Sequence, residues 1–250
     1  MRPSVVLPCF FGHEHIRDTI EKIAKVGYDC AELWFWTSYD LEALKQACKD
    51  YGVELCSICT TEFRMTSPEC HELWLDALKQ TCRVANTLGA SFIISQVGYD
   101  TGAPRDLQRA AILEKLEAAK PILEAHGICL LLEALNQKVD SPTYFMSSSQ
   151  DAFGIIREVN HPLIRLVYDI YHQQITEGHI IDTVTQNLNC IAHLHAAGNP
   201  GRHELWLGEN DYQFIFDAID RTGYTGACGL EYYPTLEALE SLAETRKRYF

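Results

Sequence analysis

Short apolar runs alternate with longer stretches in which apolar residues recur every three or four positions, from one end of the chain to the other. The short runs lie at residues 5–10, 30–34, 53–58, 92–95, 128–134, 164–169, 191–196 and 227–232, and their length and bounding turn signals predict β-strands. The intervening periodicity predicts amphipathic helices at 16–26, 41–51, 69–88, 107–126, 150–159, 180–189, 212–221 and 236–249. Punctuation agrees with these spans. Ser67-Pro68-Glu69 supplies an N-cap, a proline at the first helical position and an acid in the first turn. Thr235 is placed to cap the last helix, and Gly27, Gly52, Gly89, Gly127 and Gly223 each follow a helical run. Strict strand–helix alternation implies a parallel sheet with right-handed crossovers. Eight such units in 250 residues predict an α/β fold, a single closed (β/α)8 TIM barrel over residues 1–250. An open doubly wound sheet would usually carry Gly-x-Gly-x-x-Gly after its first strand, where this chain has Phe10-Phe11-Gly12-His13.

Four of these strands end on a residue that does not belong in an apolar run: Glu133, Asp169, His195 and Glu231. An unpaired carboxylate is very costly to desolvate, so four such groups at strand ends call for a shared partner. In a parallel barrel the C-terminal strand ends point into one mouth. Three carboxylates and an imidazole gathered there suit one divalent ion, Mg²⁺, Mn²⁺ or Co²⁺, with Zn²⁺ admitted. Asn136, His172 and Arg202 lie in the loops just beyond, and Trp34, Phe35 and Trp36 end the second strand, where they can wall a pocket.

Composition narrows the field. With 21 Lys and Arg against 34 Asp and Glu, the net charge of −13 disfavours a nucleic-acid backbone as partner. No apolar run reaches the roughly 20 residues that span a bilayer, so no membrane partner is expected. Met1-Arg2-Pro3 lacks the apolar core of a signal peptide, and the expectation is a cytoplasmic protein, with a homo-oligomer left open. The ten cysteines are scattered and read as reduced, mostly buried residues. Cys56-Ser57-Ile58-Cys59 has no second pair to complete a zinc site, and residues three apart on a strand face opposite ways.

The segments Glu133-Ala134-Leu135-Asn136, Tyr168-Asp169-Ile170-Tyr171-His172-Gln173-Gln174, Pro200-Gly201-Arg202-His203-Glu204 and Gly229-Leu230-Glu231-Tyr232 resemble those of the hydroxypyruvate isomerase family. That family belongs to the xylose-isomerase-like barrel enzymes, together with the ketose 3-epimerases. The resemblance implies that Glu133, Asp169, His195 and Glu231 hold the metal, that Glu133 and Glu231 double as the acid/base pair, and that His172 and Arg202 hold the substrate. It implies a small sugar or keto acid as substrate and no organic cofactor. His195 stands where hydroxypyruvate isomerases usually carry Gln, and a His there is the epimerase habit. The loop after Glu133 is one residue longer before Tyr144-Phe145, which leaves the place of Asp140 open. The expected chemistry is proton transfer between carbons beside a carbonyl, through an enediolate. A 3-epimerase of a free ketose is the alternative. A metal-dependent DNA-repair nuclease on the same barrel is more distant, disfavoured by the acidic charge. The intact set of polar residues speaks against a non-catalytic binding protein.

Overall fold

The computed structural model describes residues 1–12 and 14–250. Eight strands close into a parallel barrel in chain order. They are β1 (Arg2–Val6), β2 (Cys30–Leu33), β3 (Glu54–Cys59), β4 (Phe92–Gln96), β5 (Cys129–Glu133), β6 (Ile164–Asp169), β7 (Ile191–Ala196) and β8 (Ala227–Leu230). Closure is made at β1, where Val5 is in register with Ala31 on one side and Leu230 on the other. Around the barrel run α1 (Leu7–Phe11), α2 (Ile16–Lys25), α3 (Leu41–Tyr51), α4 (His71–Leu88), α5 (Arg105–His126), α6 (Ser149–Val159), α7 (Ile170–Thr176), α8 (Ile180–Gln186), α9 (Tyr212–Asp220) and α10 (Ala238–Tyr249). Among the described residues, no helix is long and apolar enough to cross a membrane.

Strand alternation sorts the side chains into two layers. Outward residues such as Ile93, Leu130, Leu132 and Leu166 pack under the helices in the main core, while Cys59, Ile94, Leu131 and Val167 form a small separate cluster. Barrel interiors are usually filled by branched apolar residues. Here buried Ser4, Glu32, Ser57, His193 and His195 stand on the strands as well. The register is irregular between Ala31 and Glu32 and again between Leu166 and Val167, each a bulge-like shift that re-aims the residues following it.

The differences from the expected elements have local causes. β1 stops at Val6 rather than running to residue 10, because Pro8 lies in the first turn of α1 and cannot extend a strand ladder. α7 was not expected. It starts directly on β6, since the Asp169 side chain accepts from Tyr171 N (2.7 Å) and His172 N (3.2 Å) and caps it. Glu231 lies one residue past β8, yet its N–H still pairs with the Ala196 carbonyl at 3.1 Å. α10 is capped by Glu237 rather than Thr235, whose N–H and hydroxyl are both taken by Glu204.

Candidate active site at the barrel mouth

Glu133 ends β5, Asp169 ends β6, His195 sits on β7 and Glu231 follows β8. Register holds them level: Gln96 pairs with Glu133 across β4–β5, Asp169 with His195 across β6–β7, and His195 with Gly229 across β7–β8. All four are buried, and one ligand atom from each lies within 4.8 Å of the others.

The hydrogen bonds fix which atoms face inward. His195 Nε2–H donates to Glu32 Oε2 at 3.1 Å. Its Nδ1 makes no hydrogen bond, and lies 3.3 Å from Glu231 Oε2 and 3.7 Å from Glu133 Oε1. Glu133 Oε2 accepts from Gln96 Nε2 (3.0 Å), and Glu231 Oε1 accepts from the Trp34 indole (2.8 Å). Arg202 donates to Glu231 Oε2 at 2.6 Å and to its backbone carbonyl at 3.2 Å. A buried imidazole nitrogen without a partner, ringed by three carboxylates, fits a divalent cation by its donor set.

The charges respond to each other. Burial alone would push the His195 imidazole down, but Glu231 and Glu32 outweigh it and hold its pKa well above the ordinary range. Burial would likewise raise Glu231, yet Arg202 and His195 keep it well below the usual carboxylate range. Asp169 moves the other way: burial, only partly offset by His172, raises it.

His172 and Arg202 border this cluster, each within 4.0 Å of the Asp140 carboxylate. The His172 Nδ1 accepts from the Asn136 N–H (3.2 Å), and its Nε2 faces Asp169 Oδ2 at 3.7 Å. Arg202 adopts a left-handed backbone (φ 56°), lies over the Tyr171 ring at 5.2 Å and reaches within 3.7 Å of Asp140. Asp140, whose place was open in the sequence, is tied to Asn136 Nδ2 at 2.6 Å and lines the mouth. A cavity of about 390 Å³ opens here, with Trp34, Phe35, Phe63 and Tyr99 as its apolar wall and Glu133, Glu231, His172 and Arg202 as polar lining. Trp36, expected beside them, is instead buried in the short 3₁₀ turn Trp36–Ser38. Cys59 lines the cavity while Cys56 packs near Ser4 (Oγ to Sγ 3.5 Å), so the two cysteines do not form a pair.

Sequence reasoning passed over Glu32, Ser57, Gln96 and Tyr144. Glu32 carried a related signal, a carboxylate within an apolar strand instead of at its end. Gln96 ends β4, next to Glu133. The Tyr144 hydroxyl joins two strand ends by donating to the Glu133 carbonyl (2.9 Å) and accepting from Val97 N (2.8 Å), a link visible only in three dimensions.

Residues 20–248 match the family model described as Xylose isomerase-like TIM barrel. Hydroxypyruvate isomerase of Escherichia coli (strain K12) is 30% identical over 243 residues, covering 94% of each chain. A 2-oxo-tetronate isomerase of Cupriavidus necator is 36% identical over 132 residues, 53% of this chain and 50% of that one. Among solved structures, a family 2 AP endonuclease from Brucella melitensis superposes over 100% of both chains with a TM-score of 0.94 at 22% identity. A D-allulose 3-epimerase from Methylomonas sp. matches with a TM-score of 0.83 at 20% identity, over 100% of this chain and 97% of that one. At such identities the last two likenesses are of fold. The chain belongs to the hydroxypyruvate isomerase family of xylose isomerase-like TIM barrel enzymes.

Proposed function

We propose that this protein is a metal-dependent isomerase of a small hydroxy-carbonyl acid or sugar, working by proton transfer through an enediolate. The observation that carries the reading is the buried quartet of Glu133, Asp169, His195 and Glu231, with the unpartnered His195 Nδ1 at its centre, beneath a cavity of small-ligand size. The names of the curated relatives, hydroxypyruvate isomerase and 2-oxo-tetronate isomerase, support the substrate class. We also take residues 1–250 to act as one catalytic barrel.

A divalent ion held by those four residues would supply electrophilic stabilisation of the negative charge that develops on the substrate oxygens. Glu133 and Glu231 form the acid/base pair. Their surroundings assign the order. The Glu133 carboxylate accepts from a neutral amide, Gln96, whereas that of Glu231 is held by the Arg202 cation and the Trp34 indole. A cation against a carboxylate weakens it as a base. Glu133 therefore removes the carbon-bound proton, and Glu231, held in place by Arg202, returns a proton to the enediolate. Arg202 and His172 donate to substrate oxygens, and the Trp34–Phe35–Phe63 wall keeps water from the reacting carbons.

A ketose 3-epimerase is the second reading, favoured by His195 where hydroxypyruvate isomerases usually carry Gln. The test is an assay over three- to six-carbon hydroxy-carbonyl substrates after EDTA treatment and re-addition of Mg²⁺, Mn²⁺, Co²⁺ or Zn²⁺, followed by NMR in deuterated water. Restored aldose–ketose interconversion with deuterium on the adjacent carbon is expected. Inversion at the third carbon without it would establish the epimerase, and undiminished turnover in EDTA would overturn metal dependence.

A further inference from the structure

β2 and β7 are not neighbours in the barrel, yet a side chain from one meets two from the other across the interior. Glu32, buried on β2, accepts from His193 Nε2 at Oε1 (2.9 Å) and from His195 Nε2 at Oε2 (3.1 Å). Ser57, its register partner on β3, donates its hydroxyl to Oε2 at 2.6 Å. The strand irregularity between Ala31 and Glu32 lies immediately before this carboxylate. Opposite it, Gly229 leaves the space the pair needs: a Cβ there would stand 2.5 Å from Glu32 Oε1 and 2.6 Å from His195 Cδ2. Four strands thus contribute to placing one imidazole.

We propose that Glu32 is a positioning residue, whose carboxylate accepts Nε2–H of His195 and thereby turns the Nδ1 atom towards Glu133 and Glu231. An imidazole has two nitrogens, and the hydrogen bond made by one decides what the other offers. With Nε2–H engaged by Glu32, Nδ1 is the nitrogen left to give its lone pair to a bound cation, on the side where the site carboxylates converge. His193 closes the second oxygen of Glu32, so the carboxylate cannot swing away from His195. Glu32, His193 and His195 also lie close enough to ligate an ion among themselves. Their contacts, however, have the lengths of N–H···O hydrogen bonds, which favours orientation over a second metal centre.

The inference rests on the metal-dependent reading, and the experiment separates the two. Co²⁺ affinity is measured by calorimetry on the metal-stripped full chain, with folding checked by circular dichroism. The unchanged protein should bind one equivalent. Glu32→Leu should weaken binding by about 10- to 100-fold, the usual loss when the partner of a ligating histidine is removed. Glu32→Gln should retain most of the affinity, because the Ser57 hydroxyl favours a carbonyl oxygen at the Oε2 position and that oxygen still accepts from His195. It also serves if the leucine variant fails to fold, since Glu32→Gln/Ser57→Ala removes that preference and should lose affinity again. In a His195→Gln background the same Glu32 changes should matter by less than about twofold, the limit within which independent sites add. A Glu32 effect of equal size in that background would overturn the inference, as would undiminished Co²⁺ affinity in folded Glu32→Leu or in Glu32→Gln/Ser57→Ala. Two bound equivalents would replace it with a second metal centre. No binding by the unchanged protein would remove the metal reading and this inference together.

Discussion

Glu133 and Glu231 are the same residue type in unlike company, and the difference predicts unlike defects. Each loses its proton-accepting charge in a Glu→Gln variant while keeping an oxygen ligand, so each should retain appreciable metal and lose nearly all turnover. In deuterated water Glu231→Gln should still exchange the substrate's carbon-bound proton, because Gln96-bound Glu133 remains, whereas Glu133→Gln should exchange none. NMR showing the reverse would exchange their roles. For Arg202 and His172 the expectation is a split between binding and chemistry. Arg202→Ala and His172→Ala should keep the metal and lower kcat/KM by roughly 1.5–3 kcal/mol, the worth of a charge-assisted contact. Loss of the metal in either variant would show that it supports the cluster instead of the substrate.

At the scale of elements, Asp169 has two employments: one oxygen caps α7 and the other turns to the site. Asp169→Asn keeps its amide oxygen on the cap and turns only the non-ligating NH2 to the site, so it should melt near the unchanged protein while losing Co²⁺ binding. Asp169→Ala should lose both, with about 1 kcal/mol of stability from the cap alone. Glu204 shows how a loop is fastened to the start of the last unit. Its carboxylate accepts from Thr235 N (2.8 Å), Leu236 N (3.1 Å) and Ser241 Oγ (3.1 Å). Burial would raise its pKa, but the donated N–H groups outweigh that and lower it. A depressed carboxylate stabilises above the ordinary glutamate range, and the contribution is lost as pH falls through its folded value. Glu204→Gln should therefore be less stable at neutral pH, with the gap closing in acid; a gap independent of pH would mean that its charge has no part. The same two residues mark what the sequence could tell. Strand ends were legible because a polar residue closing an apolar run is a local signal, and the eight-unit alternation carries the barrel. α7 was hidden because it follows β6 without a linker, and the acid that ends the strand also begins the helix. The partner of Thr235 lies in another loop, and Glu32 meets His193 and His195 only after the barrel closes. Contacts across the interior depend on closure and register, which no window of sequence contains.

For the whole molecule, the question is what holds so many acids in one mouth. Glu32, Glu133, Asp169 and Glu231 are all nearly inaccessible, and the chain carries −13 overall. Within the site, the Arg202 guanidinium and the His195 imidazole answer only part of that charge. Residual repulsion between carboxylates in a low-dielectric site raises the energy of the folded state, and a cation bound only by the folded chain lowers it. Metal should therefore act as a stabiliser as well as a cofactor. At a hundredfold excess over its dissociation constant a divalent ion adds about 2.7 kcal/mol by mass action. For a chain of this size that corresponds to roughly 5–11 °C in melting temperature. Thermal melts in EDTA and in excess Mn²⁺ or Co²⁺ measure it directly. The upward shift should disappear in Asp169→Asn, whose fold is intact but whose ligand set is incomplete. Should the unchanged protein melt alike with and without metal, the cluster would be stable as a hydrogen-bonded network of its own. Should Asp169→Asn be stabilised as strongly as the unchanged protein, the ion would be binding elsewhere on the acidic surface. Only a shift present in the first and absent in the second ties the stability of the barrel to the four strand ends.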